Sequence, residues 1–117
     1  IAADKAPASS EAALTRSNKA LQTLDKALAL SPGDAYIYYN RGCLYMQRGD
    51  IMAAAEDFTR AVEKDPRLAE AYFNRGIARL RSGDTSAAMR DFSKAGELGI
   101  YQAYNLLKQC MQTIDKP

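Results

Sequence analysis

Apolar positions along this chain recur at helical rather than strand spacing. Tyr38, Gly42 and Tyr45 stand at i, i+4 and i+7, and Ala54, Phe58 and Ala61 form a second stripe of the same kind. The stripes are punctuated by short breakers at Gly49-Asp50, Asp65-Pro66, Gly83-Asp84 and Gly99. Glycine suits the left-handed position that closes a helix, aspartate suits an N-cap or first turn, and proline turns the residue before it away from helical geometry. The pattern predicts first helices over 35–48 and 69–82, each followed by a second helix. A final helix is predicted over 101–114, with Ile100, Ala103, Tyr104, Leu107 and Met111 as its stripe. Upstream, Ser9 or Ser10 with Glu11 forms a helix start. No breaker follows before Leu30, so residues 10–30 read either as one long helix or as a hairpin. Residues 1–9 read as a loose segment.

The two central units are copies of each other. Residues 35–66 laid over 69–100, a shift of 34 with no gap, give thirteen identities in 32 positions. Among them are Asn40/Asn74, Arg41/Arg75, Gly42/Gly76, Gly49/Gly83, Asp57/Asp91 and Phe58/Phe92. A fixed offset with this spread marks a repeat array. Shifted back once more, Ala20, Leu24, Ala27 and Pro32 fall under Ala54, Phe58, Ala61 and Pro66, so the second half of an earlier unit persists. Its first half is degraded, with Thr15-Arg16 where the turn pair should be. Gly42 and Gly76 each lower helix propensity by roughly 1 kcal/mol relative to alanine. That loss is tolerable where a neighbouring helix must approach closely.

The 34-residue period, an aromatic in the first helix with Gly four residues on, Gly-Asp at the turn, Ala-xxx-Phe-xx-Ala in the second helix and a closing Pro resemble the tetratricopeptide repeat family. The resemblance covers residues 18–100 best. Arg41 and Arg75 stand where an aliphatic residue is usual, Arg79 replaces an aromatic, and Ile100 replaces the closing Pro. The fold it implies is all-α, a right-handed α-solenoid of antiparallel helix pairs with a C-terminal capping helix. Its expected organisation is a loose segment over 1–9, a degenerate or half repeat over 10–34, repeats over 35–68 and 69–100, and a capping helix and tail over 101–117. On this reading the chain is the C-terminal part of a larger array.

The resemblance also implies that first helices line a concave groove that holds a peptide or protein partner. The groove-facing residues are then Tyr36, Tyr39, Asn40, Cys43, Met46 and Gln47 in one repeat, and Phe73, Asn74, Ile77, Leu80 and Arg81 in the next. Such an apolar patch with amides suits an extended chain. Each residue also has a purely structural reading. Tyr39 and Phe73 can seal adjacent helices, while Cys43, Met46, Ile77 and Leu80 can belong to the core between repeats. Asn40 and Asn74 can serve bonds between helices. A family subclass that clamps a terminal carboxylate with Lys and Asn is matched only at Asn74, because Tyr39 and Cys43 occupy the other clamp positions. Arg75 and Arg79 share a face and suit either an acidic ligand or salt bridges to Glu56, Asp57 or Asp91.

Composition narrows the chemistry further. Sixteen basic against fourteen acidic residues give a net charge of +2, and no basic run occurs, so nucleic acid is not an expected partner. The chain has no histidine, which removes the commonest general base and zinc ligand. Cys43 and Cys110 lack metal-site spacing and read as free, partly buried thiols, with a single bridge left open. No catalytic residue, metal or cofactor is expected, and no apolar run reaches bilayer length. The compartment is not fixed by the residues, though a cytoplasmic setting is favoured. Two functions compete. One is a protein-binding scaffold. The other is an element that self-associates into a homo-oligomer through the N-terminal helix, whose apolar face lacks a partner.

Overall fold

The computed structural model describes the backbone of residues 2–115 and the side chains of residues 10–114. Six helices follow in order, with no strand among the described residues: α1 (Ala2–Leu30), α2 (Ala35–Arg48), α3 (Ile51–Lys64), α4 (Ala69–Arg81), α5 (Thr85–Glu97) and α6 (Gln102–Asp115). α2 pairs with α3 and α4 with α5. α3 rests on α4, α5 on α6, and α1 against α2. Two-residue to four-residue connections make each neighbouring pair antiparallel. The stack is a slab of 44 × 43 × 20 Å.

The turns follow from their residues. Gly49, Gly83 and Gly99 have φ of 82°, 92° and 114°, the left-handed region that a side chain disfavours. Behind each, the next amide reaches back five residues: Asp50 N–H to Tyr45 O, Asp84 N–H to Arg79 O and Ile100 N–H to Ala95 O, all at 2.9 Å. Asp34 and Asp84 cap the following helices by accepting from the Tyr36 and Ala87 amides at 2.9 and 3.2 Å. Asp50 stands at the same register as Asp84, but its carboxylate faces Arg48 at 3.4 Å instead.

Each hairpin is locked by one aromatic ring and one buried aspartate that takes two arginines. Phe58 and Phe92 are fully buried, as are Ala54, Ala61, Ala88 and Ala95 beside them. The rings lie against Gly42 and Gly76. A Cβ there would stand 2.6 Å from Phe58 and 2.7 Å from Phe92, so only glycine admits the ring. Enclosing such a ring contributes about 2–3 kcal/mol, which outweighs the roughly 1 kcal/mol of helix propensity that glycine forfeits. Asp57 and Asp91 are buried and each takes a two-pronged arginine. Arg41 donates to Asp57 at 2.7 and 2.9 Å, and Arg75 to Asp91 at 3.0 and 2.8 Å. Arg60 adds a bond to Asp57 and Arg79 one to Asp91. The Arg75 head also lies 5.6 Å from the Tyr72 ring centre. The position where an aliphatic residue was expected therefore holds a charge whose partner is buried one helix away.

α1 is a single helix, not a hairpin, and it runs from Ala2 rather than from Ser9 or Ser10. The loose segment expected over 1–9 falls on Ile1 and on side chains outside the described residues. Most of α1 is exposed, including Leu14 and Leu30.

At the other end, α6 buries Ala103 and Cys110 with Leu106 and Leu107 packed beside them, whereas Tyr104 and Met111 are exposed. Of the expected stripe, Ile100, Ala103 and Leu107 pack as predicted and the Tyr104 ring lies against Gly96, whereas Cys110 rather than Met111 is buried; α6 repeats the register of α4. Ala103 falls over Ala69, Leu107 over Phe73 and Cys110 over Gly76. Residues 116–117 of the expected tail lie outside the described residues.

Candidate functional site

The eleven residues expected to line a groove occupy one stripe on α2 and the matching stripe on α4, at the i, i+3, i+4, i+7 positions of one helix face. They do not form a uniform surface. Tyr36, Asn40, Gln47, Leu80 and Arg81 are exposed, and Tyr39, Cys43, Met46, Phe73, Asn74 and Ile77 are half-buried. Tyr39 lies 5.9 Å from the Phe58 ring and Phe73 6.0 Å from the Phe92 ring, both tilted. These two side chains are therefore the outer wall of each hairpin's core as well as part of the face. Ile77 packs into the same apolar cluster as Phe73.

The two stripes meet at Asn74. Its amide nitrogen donates to the Tyr39 hydroxyl at 2.9 Å and approaches the Cys43 sulfur at 3.9 Å. This bond ties the first helix of one repeat to the first helix of the next. Burial pushes the Tyr39 hydroxyl up to about 12, with the neighbouring Cys43 adding to the shift. Burial likewise raises the Cys43 thiol above its usual range, which keeps it protonated and weakly nucleophilic. Cys43 and Cys110 are both free thiols.

Arg75 and Arg79 both spend their guanidinium groups on Asp91, at 2.8 Å in each ion pair, and Asp57 takes Arg41 and Arg60. The salt-bridge reading of these arginines holds for Asp91, and they offer no free cationic patch to an acidic ligand. The same register continues on α6. Tyr104, Lys108, Met111 and Ile114 fall over Glu70, Asn74, Ile77 and Leu80, and all four are exposed. The 34-residue shift that aligns α2 with α4 also carries α4 onto α6. No group of three or more metal-ligating side chains gathers among the described residues.

Tetratricopeptide repeat profiles match residues 9–72 and 58–90. The chain belongs to the tetratricopeptide repeat family. Among solved structures, the first tetratricopeptide domain of Spaghetti (RPAP3), bound to the HSP90 peptide SRMEEVD, superposes with a TM-score of 0.81 at 23% identity, covering 88% of this chain and 83% of that one. MamA gives 0.79 at 22% identity, covering 83% of this chain and 58% of that one. The TPR2B domain of yeast Sti1, in a pHsp70 complex, gives 0.77 at 19% identity, covering 86% of this chain and 87% of that one. At these identities the likeness establishes a tetratricopeptide-type solenoid fold. No curated protein matches the sequence. Among the described residues no helix is long and apolar enough to cross a membrane.

Proposed function

We propose that the chain is a protein-interaction scaffold that holds an extended peptide along the first-helix face of α2, α4 and α6. The observation that carries this reading is a stripe of exposed apolar and amide side chains repeated at one period. Tyr36 is 59% exposed, Leu80 38%, Met111 50% and Ile114 55%. Asn40 is exposed beside them, with donor and acceptor suited to a peptide backbone. One similar structure holds an HSP90 peptide and another is a pHsp70 complex, which supports a peptide-binding use of the fold. The ligand favoured here differs in chemistry. Tyr39 and Cys43 replace the basic and amide clamp positions, and Arg75 and Arg79 are occupied by Asp91, which leaves Arg81 as the exposed arginine of the face. A peptide with apolar anchors suits this face better than an acidic tail.

The test is peptide display against the 117-residue chain, repeated with Tyr36, Asn40 and Leu80 changed together to alanine. These three are exposed, so the helices should remain intact by circular dichroism. Tyr39 and Phe73 are unsuitable because they wall the core. Selected peptides should lose about tenfold or more in affinity for the triple variant, as when an interface loses its anchors. Selection of no peptide, or equal binding by the variant, would remove the groove from the account.

A further inference from the structure

The two outer helices are complementary halves of one repeat. α6 has the register of a first helix, and residues 17–30 of α1 have the register of a second helix. Four helices separate them in the stack, so they face away from each other at opposite ends. Each leaves open the face that its missing partner would cover. On α1, Ala20 and Thr23 are exposed and Leu24 and Ala27 half-buried, whereas their counterparts Ala54, Asp57, Phe58 and Ala61 are all buried. On α6, Gln109 and Thr113 are exposed where Arg75 and Arg79 are half-buried.

The departures from the internal repeats also match one another. Inside each hairpin a glycine faces a phenylalanine: Gly42 with Phe58 and Gly76 with Phe92. At the open ends the same two positions hold Cys110 and Leu24. Cys110 is already buried against α5 and Leu24 is half-open, so of this pair only the α1 side waits for a partner. Inside each hairpin an arginine faces a buried aspartate. At the open ends those positions are Gln109 and Thr23, so both charges are absent together and neither is left unpaired.

We infer that α6 of one copy docks on α1 of a second copy, completing a repeat across the joint and continuing the solenoid head to tail. The joint is heterologous: one face of each copy meets a different face of the next. Growth therefore does not stop at a dimer unless the chain of copies closes into a ring. α1 continues as one helix through Thr15-Arg16, where a repeat would turn. The inference does not rest on the groove reading, because Thr23 and Gln109 lie off the peptide-facing stripe.

Sedimentation velocity over a wide concentration range tests it. The 117-residue chain should rise in mass beyond a dimer. Ala20→Glu, on α1, and Thr113→Arg, on α6, should each abolish association alone. Mixed in equal amounts they should form a one-to-one dimer and nothing larger, since a single competent joint remains. Thr23→Asp mixed with Gln109→Arg restores the internal ion pair across the joint, and should associate about tenfold more tightly than either variant alone. All four positions are exposed, so helical content should be unchanged. A chain that stays monomeric, a single variant that associates like the parent, or a charge-restored mixture no tighter than its components would overturn the proposal.

Discussion

Phe92 and Leu24 stand at the same point of the 34-residue register, yet Phe92 is wholly enclosed and Leu24 is half open. The difference lies in what faces each of them. Phe92 has α4 on one side, with Gly76 cut back to receive its ring, and α6 on the other. Leu24 has α2 on one side and solvent on the other. The same sequence stripe therefore has unequal energetic weight in the middle of the stack and at its end. In a solenoid each element is stabilised only by its neighbours, so register sets what a helix can bury and position sets what it does bury.

The largest expected break in this comparison is Phe92→Ala. Removing a fully buried ring costs about 3–5 kcal/mol, while Leu24→Ala should cost about 1–2 kcal/mol because part of that side chain is already in water. Urea midpoints of the two variants against the parent chain measure the gap, and equal losses would refute the claim that α1 is incompletely packed. Next in size is Asp91→Ala, which strands Arg75 and Arg79 beside an apolar wall. A loss of about 3 kcal/mol is expected, the scale for breaking a mostly buried pair. Its counterpart Thr23→Ala should stay within about 0.5 kcal/mol. Smaller again is Gly42→Ala. Overpacking against Phe58 opposes alanine's helical advantage of roughly 1 kcal/mol, and the clash should win by about 1 kcal/mol because a ring with no exposed surface has nowhere to move. Gly33, with nothing within 4 Å of a Cβ, is the control and should tolerate alanine.

Much of this was readable from the chain. The period, the glycine turns and the Ala-Phe-Ala stripe give the helices because each encodes a local or nearest-neighbour requirement. The pairing of Arg41 with Asp57 was harder. Arg41 alone is a departure from the usual aliphatic residue, and its joint recurrence with Asp57 as Arg75 and Asp91, sixteen residues apart in both copies, points to a partner on the next helix. One edge of the α6 face differs from the expectation, because Met111 fits an apolar stripe as well as Leu106 and Cys110 do. Hydropathy does not choose between two overlapping faces when no second helix follows to cover either. The groove residues were harder still, since Tyr39 and Phe73 serve core and surface at once. That division depends on the depth of Phe58 and Phe92, which is a property of packing rather than of spacing.

The smallest effect separates the two hairpins from each other. Tyr39 and Phe73 are equivalent by register, and only the first carries a hydroxyl, which accepts from Asn74. Burial holds that hydroxyl up to about 12 against 10.0 for an unperturbed tyrosine, so the folded state favours its neutral form. The sign follows from linkage. The contribution to stability is complete below about pH 10, where the hydroxyl is neutral in both states, and is lost as pH climbs from there toward 12. Solvent screening at this partly exposed group keeps the change modest. Thermal midpoints should therefore stay level with respect to this group up to about pH 10 and fall above it. Tyr39→Phe should flatten that alkaline limb while leaving the plateau close to the parent value. An alkaline limb unchanged in Tyr39→Phe would mean that the hydroxyl is not held in its neutral form. A flattened limb would assign the alkaline sensitivity to the α2–α4 contact, because the corresponding position on α4, Phe73, has no proton to lose.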